Sequence, residues 1–200
     1  PEGQLSPDGH IGPLHAGFRR MVRSSPPDLR VVPVALIYDF MTTGRQHIFV
    51  DFAPAIEYAP KLSPSELEQR MRRAWLSHAH FTCTQLASGF LLDHQRLSAS
   101  IFTLSELAHA VYQQACNLTA AGRHVDPQLL RLSGATRRVR GYLAYVERRG
   151  LIQRCAPGSW KITFGELVIE VGPREVAYDD VPLLYAYNEL QDLLSVVMRD

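Results

Sequence analysis

The sequence has no apolar run of the roughly 18–20 residues that a membrane-spanning helix needs; its longest apolar stretch, Val31–Tyr38, has the length of a strand. It has only three cysteines, which are far apart and form no Cys-x-x-Cys pair, so neither a disulfide framework nor a cysteine zinc site is indicated. It also has no excess of charge, because 21 Lys and Arg stand against 20 Asp and Glu, a net charge of +1. Composition therefore gives no general reason to expect a nucleic acid or an acidic surface as partner.

What is present is the composition of an ordinary globular protein, 46% hydrophobic and 20% charged. Its 200 residues suffice for one or two domains with a buried core. We interpret Cys83, Cys116 and Cys155 as free thiols in a reducing compartment, which favours a cytoplasmic location.

The first part of the chain has an α/β pattern. The continuous apolar run Val31–Tyr38 predicts a strand buried on both faces, as in parallel sheets with helices on each side. Gln46–Phe52 predicts a second strand. Ser63-Pro64-Ser65-Glu66 has an N-cap residue, a proline in the first helical position and a capping-box glutamate, which predicts a helix to about His78. We expect residues 1–78 to be part of an α/β domain.

Residues 79–200 have a different pattern, and we expect a mainly helical, winged-helix-like domain with a small β-hairpin. Thr103 and Glu106 form a second capping box before a helix that ends near Gly122. The predicted helices of this part are 81–92, 103–121, a short one from Asp126, one from Gly134 or Thr136 to Arg149, and 182–198; the predicted strands are 151–154, 159–164 and 167–171.

The motif that indicates a chemical function lies at the start of the sequence. It consists of Pro1-Glu2-Gly3-Gln4-Leu5-Ser6, then Gly9, then Pro13-Leu14-His15-Ala16-Gly17, followed by the strand step Val32-Pro33-Val34. This series resembles the glycerolipid acyltransferase superfamily, which includes glycerol-3-phosphate and 1-acylglycerol-3-phosphate acyltransferases. The resemblance covers roughly residues 1–78 and implies the C-terminal half of the acyltransferase α/β domain.

The resemblance implies transfer of a fatty acyl group from acyl-CoA or an acyl-carrier protein to a hydroxyl of a glycerol-based lipid precursor. Glu2, Gly3 and Ser6 would shape the acceptor site, because Gly3 lets the backbone approach a ligand and the two polar side chains can hold a polyol. Acyl-CoA or carrier protein would be a co-substrate; no bound cofactor, no metal and no nucleic acid are implied. A lipid acceptor implies peripheral membrane contact.

Two positions depart from the family pattern. Leu5 stands where the family usually has an arginine that resembles a phosphate ligand, and His15 stands where it has a lysine. Either the acceptor carries no phosphate or another cation binds it. Arg19, Arg20 and Arg23 are candidates on a predicted helix from Leu14 to Ser24, although such arginines more often form a solvated face or contact an anionic membrane.

The catalytic pair of the family is absent. That pair is a histidine and an aspartate separated by four residues, in which the histidine acts as general base. None of the eight histidines of this chain has an aspartate five positions later. We therefore expect the sequence to begin inside a domain, at Pro1, with the catalytic pair upstream, and we expect this chain to be inactive alone.

Three alternatives concern residues outside this motif. His78 and His80 alternate like a metal pair on a strand, but no third ligand lies at a suitable spacing, and we assign them a structural role. Cys83 has no local support as a nucleophile. Arg137, Arg138 and Arg140 open a predicted helix and would contact phosphates if residues 103–163 formed a winged-helix nucleic-acid-binding or protein-interaction module.

Overall fold

The computed structural model describes residues 9–10, 20, 24, 29–57, 63–97, 101–164 and 182–195. The strands are β1 Arg30–Val31, β2 Val34–Asp39, β3 His47–Phe52, β4 Ile56–Glu57, β5 Ile101–Thr103, β6 Ile152–Ala156 and β7 Ser159–Ile162. The helices are α1 Pro64–His78, α2 Cys83–Arg96, α3 Leu104–Ala120, a 3-10 helix Pro127–Leu130, α4 Leu132–Arg148 and α5 Pro182–Leu194.

Strands β2 and β3 form an antiparallel hairpin in which Val34 pairs with Phe52 and Asp39 pairs with His47. Side chains alternate along β2, so that Ala35 and Ile37 are buried while the residues between them are exposed. Within the described residues, the prediction that this run is buried on both faces is therefore wrong. The physical reason is that helices α1 and α2 pack against only one face of the hairpin.

The outer face of the hairpin is apolar nevertheless. Six large apolar side chains of β2 and β3 are between 39% and 68% exposed; they are Val34, Leu36, Tyr38, Ile48, Val50 and Phe52. We call these six residues the outer face. An apolar surface of this kind on a strand pair is typical of a sheet that another element covers.

Both predicted capping boxes are confirmed. Ser63 Oγ accepts from the Glu66 amide and Glu66 Oε2 accepts from the Ser63 amide, at 3.2 and 2.8 Å. Thr103 and Glu106 repeat the arrangement at the start of α3, at 3.1 and 2.6 Å. In both boxes the hydrogen bond holds the pKa of the glutamate below its usual range.

The helical part carries a three-stranded antiparallel sheet in the order β5-β7-β6. Helices α3 and α4, which lie between β5 and β6 in the sequence, pack against each other. The turn before β6 contains Gly150, whose φ of 71° suits glycine. Helix α5 packs mainly on α2. Helix α4 starts at Leu132, slightly before the predicted Gly134 or Thr136, because Arg131 provides the extended N-cap.

One buried core runs through both parts of the chain. It contains Ala35, Ile37 and Met41 from the hairpin region together with buried residues of every helix from α1 to α5. The predicted domain boundary after His78 stays a prediction, and the apolar packing is continuous across it. None of the helices described is both long and apolar enough to cross a bilayer.

Candidate functional site

The predicted acceptor residues Glu2, Gly3 and Ser6 lie outside the described residues. Gly9 of the same motif is described, and its position is restrictive. Its φ is 83°, and a Cβ built there would lie 2.1 Å from the carbonyl oxygen of Tyr185 on α5. Next to it, His10 Nδ1 lies 3.3 Å from a carboxylate oxygen of Asp192. The backbone at Gly9 therefore meets α5 at a point where only glycine fits without strain.

The strand step of the motif leads into β2. Pro33 is buried, and its carbonyl accepts a hydrogen bond of 2.9 Å from the amide of Ala53. Proline has no amide to donate, which suits a position just before a strand begins. Two residues after Ile37, the strand ends at a buried aspartate, Asp39.

Asp39 is the centre of a buried polar network. Its carboxylate accepts hydrogen bonds from the amide and the hydroxyl of Thr84 at the start of α2. The same carboxylate pairs with the guanidinium of Arg138 on α4, and Arg138 Nε lies 3.4 Å from Asp126. All four side chains are buried. Such a network is typical of a structural anchor, because each charge has a charged or hydrogen-bonding partner.

This network corrects one assignment made from the sequence. Arg138 cannot be one of the basic residues that contact phosphates, because its side chain is only 8% exposed and is paired with two aspartates. Its neighbours Arg137 and Arg140 are exposed, as a helix with one buried face requires.

The buried thiol next to this network is not poised for nucleophilic chemistry. Burial raises the pKa of Cys83 well above its ordinary value, and the nearby Asp39 carboxylate raises it further. A thiol of this kind is protonated at neutral pH and is a poor nucleophile.

A second polar contact joins α2 to α5. The side chain of Gln85 accepts from the Thr82 amide at 2.9 Å and donates to Glu189 at 2.7 Å. Burial raises the pKa of Glu189 to about 7, although its hydrogen bond with Gln85 acts in the opposite direction. Glu189 is therefore a carboxyl group that changes its charge near neutral pH.

The most concentrated set of potential ligands lies elsewhere, where Asp51 meets two histidines. Nδ1 of His80 lies 2.5 Å from Asp51 Oδ2, and Nδ1 of His124 lies 3.4 Å from Asp51 Oδ1. Their potential ligand atoms all lie within 4.8 Å of one another. We call Asp51, His80 and His124 the Asp–His cluster. It combines the donor types that divalent transition metals favour.

The cluster is held by the backbone around it. Phe81 and Val125 form a parallel bridge, with the Phe81 amide donating to the His124 carbonyl at 2.9 Å and the Asp126 amide donating to the Phe81 carbonyl at 3.0 Å. This bridge fixes His80 and His124 next to each other. On the other side, Phe49 of β3 stacks on the His80 ring with a centroid distance of 4.6 Å.

A third imidazole borders the cluster. The rings of His78 and His124 have their centroids 5.6 Å apart, in an edge-to-face arrangement. His78 Nδ1 lies 2.9 Å from the Ala74 carbonyl of the preceding helical turn. A nitrogen that donates to a carbonyl leaves the other ring nitrogen, Nε2, as the acceptor.

The sequence predicts a structural role for His78 and His80, because no third ligand lies at a suitable spacing. The structure provides Asp51 from β3 and His124 from the turn after α3, both distant in sequence. His78 and His80 are also not on a strand, because His78 ends α1 and His80 lies in the connection to α2. Regular spacing in a sequence can indicate only ligands that lie on the same element. No local pattern could therefore have indicated Asp51 and His124.

Comparisons with known proteins do not extend these observations. No protein-family model, no curated protein and no solved structure matches the chain.

Proposed function

We propose that this chain provides the acceptor-binding part of a glycerolipid acyltransferase, which transfers a fatty acyl group from acyl-CoA or an acyl-carrier protein to a hydroxyl of a glycerol-based lipid precursor. The observation that carries the proposal is the order of motifs: Pro1-Glu2-Gly3-x-x-Ser6, Gly9, Pro13 to Gly17, and the strand step Val32-Pro33-Val34. Glu2, Gly3 and Ser6 are the residues assigned to the acceptor.

The close approach at Gly9 supports this proposal. The motif has glycine at this position, and here its backbone contacts the Tyr185 carbonyl with no room for a side chain. A glycine required by packing fits a turn that has to be held in one conformation in order to bind a ligand. The turn would thus be anchored on α5.

The outer face of the hairpin supports it too. A sheet with apolar side chains on both faces is the expected edge of an α/β domain whose remaining elements cover the second face. Strands β2 and β3 have this character, with Ala35 and Ile37 buried on one side and Leu36 and Val50 exposed on the other. The acyltransferase half that would carry the catalytic pair is a candidate for this cover.

The sequence that precedes Pro1 in the encoding gene tests the proposal directly. We expect a histidine followed by an aspartate five positions later, about 50–80 residues upstream of Pro1, a distance within the length of one domain. A gene without such a pair anywhere upstream would overturn the acyltransferase assignment.

Acyl transfer by the complete gene product is the biochemical test. We expect labelled acyl groups to move from acyl-CoA or acyl-carrier protein to a glycerol-based acceptor, and Glu2→Gln to raise KM for the acceptor more than KM for the thioester. Glu57→Gln is the matched control, because Glu57 is an exposed glutamate whose carboxylate lies 3.3 Å from the Arg30 guanidinium on the adjacent strand. Equal effects of the two changes would count against Glu2 as an acceptor ligand.

The same assay identifies the acceptor class. Leu5 and His15 replace the cationic residues of the family pattern, so we compare glycerol 3-phosphate and lysophosphatidate with uncharged monoacylglycerol. A preference for the uncharged acceptor indicates that phosphate binding is lost. A preference for the phosphate-bearing acceptors would indicate that another cation binds the phosphate. If Arg19→Ala or Arg23→Ala then removes this preference, the phosphate is bound by the helix predicted from Leu14 to Ser24.

Peripheral membrane contact belongs to the same proposal. The helix predicted from Leu14 to Ser24 lies outside the described residues, apart from Arg20 and Ser24. Co-sedimentation with anionic liposomes measures the contact, and replacing Arg19, Arg20 and Arg23 by glutamine should reduce it if this helix touches the lipid. Unchanged co-sedimentation would exclude this helix as the contact.

A specific observation favours a second candidate function, binding of nucleic acid by the winged-helix-like part. Residues 101–164 contain nine Lys and Arg against three Asp and Glu, a net charge of +6 that the near-neutral whole chain conceals. The element order, with β5 before α3 and α4 and the β6–β7 hairpin after them, supports the winged-helix proposal. Arg137 and Arg140 are exposed on α4.

Binding to a mixed-sequence DNA duplex at about 50 mM and about 200 mM salt tests this candidate. We expect affinity to fall with salt, and Arg140→Ala to lower the salt slope by about one. Arg96→Ala is the control, since Arg96 is also exposed but lies on α2, where it contacts Asp93 and Tyr187. Absence of salt-dependent binding would remove nucleic acid from consideration.

A further inference from the structure

We propose that the Asp–His cluster is a metal site in which Asp51, His80 and His124 bind one divalent first-row transition metal ion, Zn²⁺ in the first instance. The inference does not depend on the acyltransferase proposal. Its starting point is that a carboxylate and two imidazoles from three separate segments bring their ligand atoms within 4.8 Å of one another.

The donor set selects the class of ion. Imidazole nitrogen is a common ligand of Zn²⁺, whereas Mg²⁺ and Ca²⁺ prefer oxygen ligands throughout. Asp51 currently contacts Nδ1 of both rings, at 2.5 Å for His80 and 3.4 Å for His124. A cation held between these groups would take a carboxylate oxygen and one nitrogen of each imidazole as ligands.

Neighbouring residues hold parts of the cluster in place. Phe49 stacks on one face of His80, and Arg123 donates a hydrogen bond of 2.6 Å to the Leu76 carbonyl, which anchors the turn next to His124. Packing therefore orients the His80 ring, and a hydrogen bond holds the turn that carries His124.

The site also has an entrance. Asp51 and His80 are 11% and 19% exposed, whereas His124 is 44% exposed. One side of the cluster is therefore closed and the other is open to solvent. Three protein ligands leave room for water as a further ligand, which is the composition of zinc sites with an open position.

Binding would join three parts of the fold. Asp51 belongs to β3, His80 to the connection between α1 and α2, and His124 to the turn after α3. Because an ion held by all three binds the folded state and not the unfolded one, it stabilises the fold in proportion to its affinity and concentration.

The test uses the chain without a polyhistidine tag, freed of metal by a chelator. Titration with Zn²⁺ should give one ion bound per chain, an increase in Tm, and visible absorption of low-coordinate Co²⁺ when Co²⁺ replaces Zn²⁺. Mg²⁺ should leave Tm unchanged.

His124→Asn is the decisive variant, because this half-exposed side chain can be replaced with little effect on packing. It should lower Zn²⁺ affinity by more than the roughly 10–100-fold that loss of an outer hydrogen-bond partner costs. Asp51→Asn should do the same. His109→Asn is the matched control, since His109 is an exposed histidine on α3 that contacts Ser105.

Two results would overturn the proposal. One is the absence of stoichiometric Zn²⁺ binding by the chain. The other is an equal Zn²⁺ affinity of the His124→Asn, Asp51→Asn and His109→Asn variants. That result would assign the ion to a different set of ligands.

Discussion

Arg138 on α4 and Asp39 on β2 form a buried ion pair although they lie 99 positions apart in the sequence. The side chains are 8% and 2% exposed, and Asp126 lies on the other side of the guanidinium. This contact ties the hairpin to the helical part of the chain. Removing the arginine would leave two buried carboxylates without their shared countercharge.

We therefore expect Arg138→Met to lower the free energy of unfolding by about 3–5 kcal/mol, the range for breaking a buried ion pair from one side. Arg137→Met is the control on the same helix, and because Arg137 is exposed its effect should stay within about 0.5 kcal/mol. Urea unfolding of both variants measures the difference. Equal midpoints would mean that the network contributes nothing to stability.

Glu189 predicts a specific dependence of stability on pH. Its pKa in the folded state is raised to about 7 from an ordinary 4.5, so the folded state holds a proton that the unfolded state has lost between these pH values. The free energy of unfolding therefore falls as pH rises from about 4.5 to about 7 and changes no further above it.

Glu189→Gln should remove this pH-dependent loss, because a glutamine can still accept from Gln85. We expect the variant to exceed the parent by at most about 3 kcal/mol at pH 8 and to match it near pH 4.5. Unfolding by urea at the two pH values measures the effect, with Glu57→Gln as the exposed control. A gain that is equal at both pH values would contradict the assigned cause.

The outer face predicts self-association of the chain. Leu36 and Val50, which pair across β2 and β3, are each 49% exposed. Replacing both by threonine keeps the β-propensity and removes apolar surface. We expect a lower sedimentation-average mass at high concentration with a free energy of unfolding changed by less than about 1 kcal/mol. A large loss of stability without a change in mass would mean that these side chains are needed for folding instead.

At Gly134 we expect the usual stabilising effect of a glycine-to-alanine change in a helix to be reversed. Replacing glycine by alanine within a helix ordinarily stabilises it by roughly 1 kcal/mol. Here the added Cβ would lie 2.1 Å from the carbonyl oxygen of Gln128. Gly134→Ala should therefore lower Tm, while Ser133→Ala at the exposed neighbouring position should leave it unchanged or raise it. A raised Tm for Gly134→Ala would show that the 3-10 helix moves aside at little cost.

Local features of the fold could be predicted from the sequence, because their causes are local. The Ser63–Glu66 and Thr103–Glu106 boxes start their helices as expected, and the strand Gln46–Phe52 is observed as His47–Phe52. A capping hydrogen bond joins residues only three positions apart, so the amino-acid sequence alone suffices to find it.

Features that depend on distant partners could not be predicted. The burial of Arg138 requires Asp39, and the Asp–His cluster requires Asp51 and His124 to meet His80. The exposure of alternate residues in β2 depends on which face the helices cover. An apolar run shows that both faces of a strand are hydrophobic, but it does not show which of the two faces another element covers.

The parallel bridge between Phe81 and Val125 has a consequence for how the length of this protein can vary. It brings the two ends of segment 82–124, which contains α2, β5 and α3, side by side. Because α2 and α3 pack in the core, an insertion that leaves both ends in place has to lie in a connection between these elements. A single residue gained between His124 and Val125 would instead displace the imidazole from its neighbour. Homologous chains should therefore differ in length in those connections and keep a constant length next to the bridge.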